Sequence, residues 1–402
     1  MKIADFETFV VGNPPPHFGG RYFLFVKLVS DDGIVGYGEV YCATFSAHVV
    51  ERMIADVCER HVVGGDPFRI EHLWRNVYGS GYTLRPDLSL VSVLSGIEIA
   101  CWDIVGKAVG QPVYQLLGGR VHERLRSYTY LYPSERDGPD AFEANRVYSD
   151  PGLAAQRAVE EVERGFSAVK FDPAGPYTVY DGRMPSLDAI ELSRRFVETI
   201  REAVGTSADL LFGTHGQFIA AGAIRLARAL EPSDPLWFEE PTPPENPAEM
   251  ARVARQTSIP IATGERLVTK HEFARVLEAQ AASILQPAVA RCGGLLEARK
   301  IASLAEIHHA QIAPHLYCGP IAALASIQFA TCTPNFLILE CIRDFGGFHD
   351  QLLTHPIRWE EGFVIPSDEP GLGSELDETV ARAHPYSGEA LHLEMQGTPG
   401  EE

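Results

Sequence analysis

The chain has 402 residues, 45% hydrophobic and 22% charged, an ordinary balance for a globular enzyme and enough length for two domains. Lys and Arg number 34 against 54 Asp and Glu, a formal charge of −20 that argues against a nucleic-acid partner, because phosphate binding needs a basic surface. A small anionic substrate remains compatible with this charge if a metal or buried cations hold it.

The seven cysteines (42, 58, 101, 292, 318, 332, 341) show no CxxC or Cys/His finger spacing and read as reduced thiols of a cytoplasmic protein. No signal peptide and no apolar span of about 18 residues is visible, so no membrane partner is expected.

From the N-terminus, "KIADFETFVV" and "YFLFVKLVSDDGIVGYGEV" alternate apolar and polar residues, with SDDG as a turn, and predict an antiparallel sheet. The intervening "GNPPPHFGGR" forbids regular structure and is a candidate mobile loop, with His17 and Arg21 as candidate substrate contacts. "SAHVVERMIADVCERHVV", "DPFRIEHLWRNVY" and "SLVSVLSGIEIACWDIVGKAVG" have helical spacing. Tyr82 and Arg85, in the connecting "GSGYTLRPD", are further candidate contacts. Residues 1–125 thus read as an α+β domain.

Gly118 and Gly119 end a helix, too weak a signal for a phosphate cradle, and "RLRSYTY" reads as the first strand of a second domain. Residues 135–152 are polar and read as an insertion. Thereafter helix and strand alternate, with strands ending at Asp172, Gly213, Glu240, Glu265, Pro287, His315 and Glu340. Together with the first strand this predicts a modified (β/α)8 barrel over 126–345. The segment 346–402, through "GLGSEL" and "ALHLEM", is expected to return to the N-terminal domain and complete it.

Polar residues recur where these apolar runs end: Lys170 and Asp172, His215, Glu239 and Glu240, Glu265, Gln286, His315 and Glu340. From 215 to 340 the separations are 24, 26, 21, 29 and 25 residues, the period of one strand plus one helix. Polar groups at successive strand ends are how such a barrel builds an active site. Glu239, Glu265 and one further oxygen or imidazole ligand suit a hard divalent cation such as Mg2+. Such a site stabilises the enediolate formed when the carbon next to a carboxylate loses a proton. His315 and Lys170 are then the base and acid candidates. The plainer alternatives are a solvated Glu239–Glu240 pair, a Glu265–Arg266 ion pair, an Asp172–Lys170 pair and a helix-start role for Glu340.

The motifs "SGIEIACWDIVGKAVGQPVYQLLGG", "WFEEP", "IATGER", "ILQP…CGG" and "APH…GPIA", in this order, resemble the enolase superfamily through essentially the whole chain. Within it they look most like the mandelate racemase group and its acid-sugar dehydratases. "KFDPAGPY" and "HGQF" are similar to gluconate dehydratase-like members. The resemblance implies an N-terminal capping domain, a modified barrel, an essential Mg2+ and a homo-oligomer, dimer or octamer. It also implies abstraction of the proton α to the carboxylate of an aldonate or aldarate.

By this resemblance Glu239 and Glu265 match the second and third metal ligands, and Lys170 the first lysine of the Lys-x-Lys motif. Asp172 stands where racemases carry a second lysine. His315 matches the acid–base histidine, and Glu340 the glutamate that hydrogen-bonds the enediolate. Two positions depart from the pattern. Gly213 stands in place of the third-strand acidic ligand, and His215 is either a replacement nitrogen ligand or an acid–base group. Ala288 stands in "QPA" where "QPD" supplies the carboxylate that orients the histidine. The reading is a hydro-lyase forming a 2-keto-3-deoxy sugar acid. The alternatives are a cycloisomerase or epimerase using the same enediolate, and a non-catalytic homologue.

Overall fold

Strands β1 (Ile3–Gly12), β2 (Tyr22–Ser30) and β3 (Val35–Glu39) form an antiparallel sheet in the order β1-β2-β3, with Phe9 opposite Phe25. The computed structural model describes residues 1–82, 84–133, 146–172 and 182–393. Most of the expected insertion therefore lies outside the described residues.

Helices Ala47–Val57, Ile70–Tyr78 and Leu88–Val109 join the sheet in one apolar core. The third is capped by Asp87, which accepts from the Leu90 amide, and it ends at the left-handed Gly110. Its 22 residues are long and apolar enough to cross a membrane, contrary to the sequence reading that no such span exists. It is nevertheless a core helix. Its most apolar stretch is 78% buried, and its Glu98 accepts from the Leu295 and Leu296 amides at the start of helix Gly294–Ile307.

Eight parallel strands follow: β4 (Leu125–Tyr130), β5 (Ala168–Phe171), β6 (Asp209–Gly213), β7 (Trp237–Glu239), β8 (Ile261–Thr263), β9 (Ile284–Leu285), β10 (Gln311–Ile312) and β11 (Leu339–Cys341). β11 pairs with β4, Glu340 opposite Tyr128, and a bridge from Ile312 to Phe336 links the β10 and β11 segments, so the barrel closes. Tyr128, Ala168, Leu211, Trp237, Ala262, Ile284, Ala313 and Ile338, one from each strand or its edge, meet in one buried cluster. Large residues sit beside small ones, and the Tyr128 and Trp237 rings meet edge-on at 5.4 Å. This layer is the floor of the barrel's mouth. Side chains two positions apart share a face of a strand. The next layer is therefore Tyr130, Lys170, Gly213, Glu239, Gly264, Gln286, His315 and Glu340.

The C-terminal segment first adds to the barrel. β12 (Arg358–Glu360) and β13 (Phe363–Ile365) form a hairpin, and β13 pairs antiparallel with β4, an addition the sequence reading did not anticipate. Trp359 packs on Phe166 at 4.7 Å, which gives the hairpin its apolar anchor. The chain then runs over the N-terminal domain. The Leu372 amide donates to Asp103, Glu378 holds Lys27 and Tyr37, the Tyr386 amide donates to Val10, and the Arg21 amide donates to the His392 carbonyl. All seven cysteines are free and buried.

Candidate active site

The most tightly bonded part of the mouth is a buried ion cluster. Lys170 Nζ lies 2.5 Å from Glu239 Oε1 and 3.9 Å from Glu340 Oε1. Gln286 Nε2 donates to the other Glu239 oxygen at 2.8 Å, and the Leu316 amide donates to Glu340 Oε2 at 2.7 Å. Burial disfavours the Lys170 cation, but Glu239 and Glu340 outweigh it and hold its pKa well above the ordinary value. Burial raises the Glu340 carboxyl to about 7 against the pull of Lys170.

Glu265 reaches the mouth through a backbone turn. Strand β8 stops at Thr263, and Gly264 has φ +146°, a conformation side chains rarely adopt; a Cβ there would also lie 2.8 Å from the Gln286 backbone. The turn brings Glu265 Oε2 within 3.4 Å of His315 Nε2 and 3.9 Å of His215 Nε2. This oxygen is buried without a hydrogen bond among the described residues. His215, Glu239 and Glu265 each offer a donor atom within 4.8 Å of the others. Two carboxylates and an imidazole, one oxygen otherwise unbonded, fit a divalent cation.

The two histidines sit in opposite fields. His315 stacks on Tyr41, ring centroids 5.8 Å apart, and its Nδ1 is buried with no hydrogen bond among the described residues. Burial lowers its pKa to about 3, Glu265 opposing only in part. His215 has φ +49°, and its Nδ1 stands 2.9 Å from Asp172 Oδ2. Burial disfavours its cation too, but Asp172 and Glu265 outweigh it and raise the pKa to about 9. Burial would likewise raise the Glu265 carboxyl; His215, His315 and Lys170 instead hold it below the usual carboxylate range.

Two of the plainer alternative pairings do not form. Asp172 pairs with His215, not Lys170, because Lys170 is already committed to the glutamates. Arg266 pairs with Glu240, not Glu265, and donates to the His215 carbonyl at 2.9 Å.

The capping-domain candidates divide. His17 Nδ1 is 2.6 Å from the Asn13 carbonyl, and its neighbour Phe18 packs on Tyr132 at 4.5 Å. Gly19 is packed so closely that a Cβ would lie 2.9 Å from the Cys318 carbonyl, which puts this loop over the segment after His315. Arg21 is half-buried at the loop's far end and tied to the C-terminal segment. Tyr82, 99% exposed, and Arg85, also exposed, have no contact with the cluster among the described residues. Helix Ile70–Tyr78 ends at Gly79, and the left-handed Gly81 turns this segment into solvent.

Two contributors were missed from the sequence. Tyr41 comes from the capping domain. Arg291 lies 3.8 Å from the Tyr41 ring centroid and donates to the Glu265 carbonyl at 3.0 Å. Neither falls on the strand-end period, so no sequence signal marked them.

Residues 154–380 match the enolase C-terminal domain-like family, and residues 18–118 match the N-terminal domain of the mandelate racemase / muconate lactonizing enzyme family. The chain is 35% identical over 398 residues to D-xylonate dehydratase of Haloferax volcanii, covering 97% of this chain and 90% of that one. It is also 35% identical over 388 residues to D-galactonate dehydratase of Ralstonia nicotianae, covering 94% and 93%. A solved structure from Labrenzia alexandrii, described as a mandelate racemase/muconate lactonizing enzyme, superposes with a TM-score of 0.95 at 64% identity over 99% of each chain. With both domains matched and full-length relatives that are hydro-lyases, the chain is an enzyme of the mandelate racemase/muconate lactonizing enzyme family within the enolase superfamily.

Proposed function

We propose that this enzyme is a Mg2+-dependent acid-sugar dehydratase. It takes an aldonate or aldarate, removes the C2 proton and expels the C3 hydroxyl as water, leaving an enol that becomes the 2-keto-3-deoxy acid. The observation that carries this reading is the facing of His315 Nε2 and the Glu265–Glu239–Lys170 cluster across one dry mouth. The names of the relatives, D-xylonate and D-galactonate dehydratase, support the same class.

Glu239, Glu265 and His215 are the residues that would hold the cation. When bound, it supplies positive charge against the substrate carboxylate and the enediolate. Lys170 adds a fixed ammonium to the same developing charge, in a site where low dielectric strengthens it. Glu340, with its carboxyl near neutrality, hydrogen-bonds an enediolate oxygen. His315 takes the C2 proton at Nε2 and returns it to the departing C3 hydroxyl on the same face, so one group serves as base and then acid. Tyr41 covers the His315 ring and excludes water.

The test is a screen of aldonic and aldaric acids against Mg2+-loaded enzyme, read by 2-keto acid formation and by exchange of the C2 proton in D2O. A hit abolished by EDTA is expected. Folded, metal-binding protein with neither turnover nor exchange across the library would rule the proposal out.

A further inference from the structure

Gly213 stands in the layer that holds Lys170 and Glu239, yet it brings no side chain. The space is not empty. A Cβ built on Gly213 would lie 1.9 Å from Asp172 Oδ1 and 2.9 Å from its carboxyl carbon. The carboxylate of Asp172, one residue beyond β5, therefore occupies the volume that a third-strand side chain would fill, and any residue larger than glycine must displace it. Asp172 is 5% exposed, so its charge is placed there at a desolvation cost. It faces His215, which follows β6 in a turn at φ +49°, with Oδ2 2.9 Å from Nδ1.

Holding Nδ1 leaves Nε2 directed at Glu265, 3.9 Å from its Oε2. That spacing is too long for a hydrogen bond. It falls between the separations of adjacent ligands, about 3 Å, and opposite ligands, about 4.2 Å, on an ion with bonds of about 2.1 Å. A carboxylate behind a metal-binding imidazole fixes the ring's orientation and tautomer and raises its basicity.

We propose that this enzyme has relocated its third metal ligand. Asp172 enters through the gap at Gly213 and fixes the His215 ring, so that Nε2 ligates where a carboxylate would otherwise stand. Asp172 is a positioning residue, and Gly213 is the opening it requires. The inference rests on the proposed metal dependence, not on the identity of the sugar acid. Mn2+ suits the same kind of oxygen-rich site as Mg2+ and can report a directly bonded nitrogen.

The experiment titrates Mn2+ into the purified enzyme without substrate. Affinity is followed by electron paramagnetic resonance, and directly bonded nitrogen by pulsed hyperfine spectroscopy. Wild type should show coupling to one imidazole nitrogen, absent in His215→Ala. Asp172→Asn, which keeps the shape, should weaken Mn2+ binding about 10–100-fold, within the range for such supporting groups. Gly213→Ala should cause a similar loss. The double variant should be no worse than either single one, because both remove the same contact. The unfolding temperature of each metal-free variant separates loss of the site from loss of the fold. Bound Mn2+ without nitrogen coupling, Asp172→Asn binding as wild type does, or losses that add in the double variant would each overturn the proposal. Turnover plays no part in this readout, so failure to find a sugar-acid substrate would sink the dehydratase reading and leave this one standing.

Discussion

Two layers of the same barrel, two residues apart along each strand, do different work. The floor, from Tyr128 round to Ile338, is apolar and fully packed. The layer above carries Lys170, Glu239, Gln286, His315 and Glu340, and it is almost as dry, each residue 6% exposed or less. Side-chain direction and burial are thus shared, and only the chemistry differs. The floor gains stability from burial. The upper layer gives some of it up, because charges are costly to desolvate, and in return its electrostatic interactions act without competing water. The floor is what makes that dryness available.

Three changes test this division, and a fourth outside the barrel provides the reference, in order of the size of their expected effect. Lys170→Met leaves Glu239 and Glu340 facing one another without their cation, and breaking such a buried pair costs about 3–5 kcal/mol. Chemical denaturation should show this loss together with a fall in turnover, and added divalent cation should restore part of the stability but not the rate. Trp237→Ala opens a cavity in the floor and should cost about 3–5 kcal/mol by the same assay. Unlike Lys170→Met, it should gain no special stabilisation from metal relative to wild type. If Trp237→Ala abolished metal binding while still folded, the two layers would not be separable.

His315→Asn should be nearly neutral for stability, since its Nδ1 has no hydrogen bond to lose. It should lower the rate about 10²–10⁴-fold and remove C2 proton exchange. A large drop in melting temperature would instead mark His315 as structural.

The smallest effect is expected far from the barrel. Burial would raise the Glu378 carboxyl, but hydrogen bonds from Lys27, Tyr37 and Arg382 prevail and hold it at about 2. Its folded pKa lies below the unfolded one, so its contribution is complete above the ordinary carboxylate range and is lost as pH falls toward that value. Glu378→Gln should therefore lower stability slightly near neutrality, by no more than about 1 kcal/mol for a partly exposed cluster. As pH falls to about 2, wild type and variant should converge. A difference that persisted there would show that the C-terminal clasp holds by packing and not by charge.

Much of the site is legible along the chain because a βα repeat converts position into geometry. Lys170, Glu239, Glu265, His315 and Glu340 each follow an apolar run, and each lies in the mouth. The floor adds a second register. Ala168 and Lys170, Trp237 and Glu239, Ile284 and Gln286, Ala313 and His315, and Ile338 and Glu340 are all two residues apart, so the alternation of a strand alone separates packing from polar positions. Glu265 breaks this register, and only the backbone turn at Gly264 brings it inward.

Ion-pair partners were less legible. The turn after β8 directs Glu265 and Arg266 differently, so Arg266 serves Glu240, from the neighbouring strand segment, and not the adjacent Glu265. Tyr41, Arg291 and the C-terminal hairpin on β4 reach their places through contacts between segments remote in sequence, which no local pattern encodes.

The amino-acid sequence by itself determined the barrel, the capping sheet and the residue types at the strand ends, because hydrophobic periodicity and the strand–helix repeat are local properties. Only the tertiary structure decided what fills the space left open at Gly213. That answer lies in a through-space contact with Asp172 on the neighbouring strand, and a gap acquires meaning only when the chain that fills it is brought alongside.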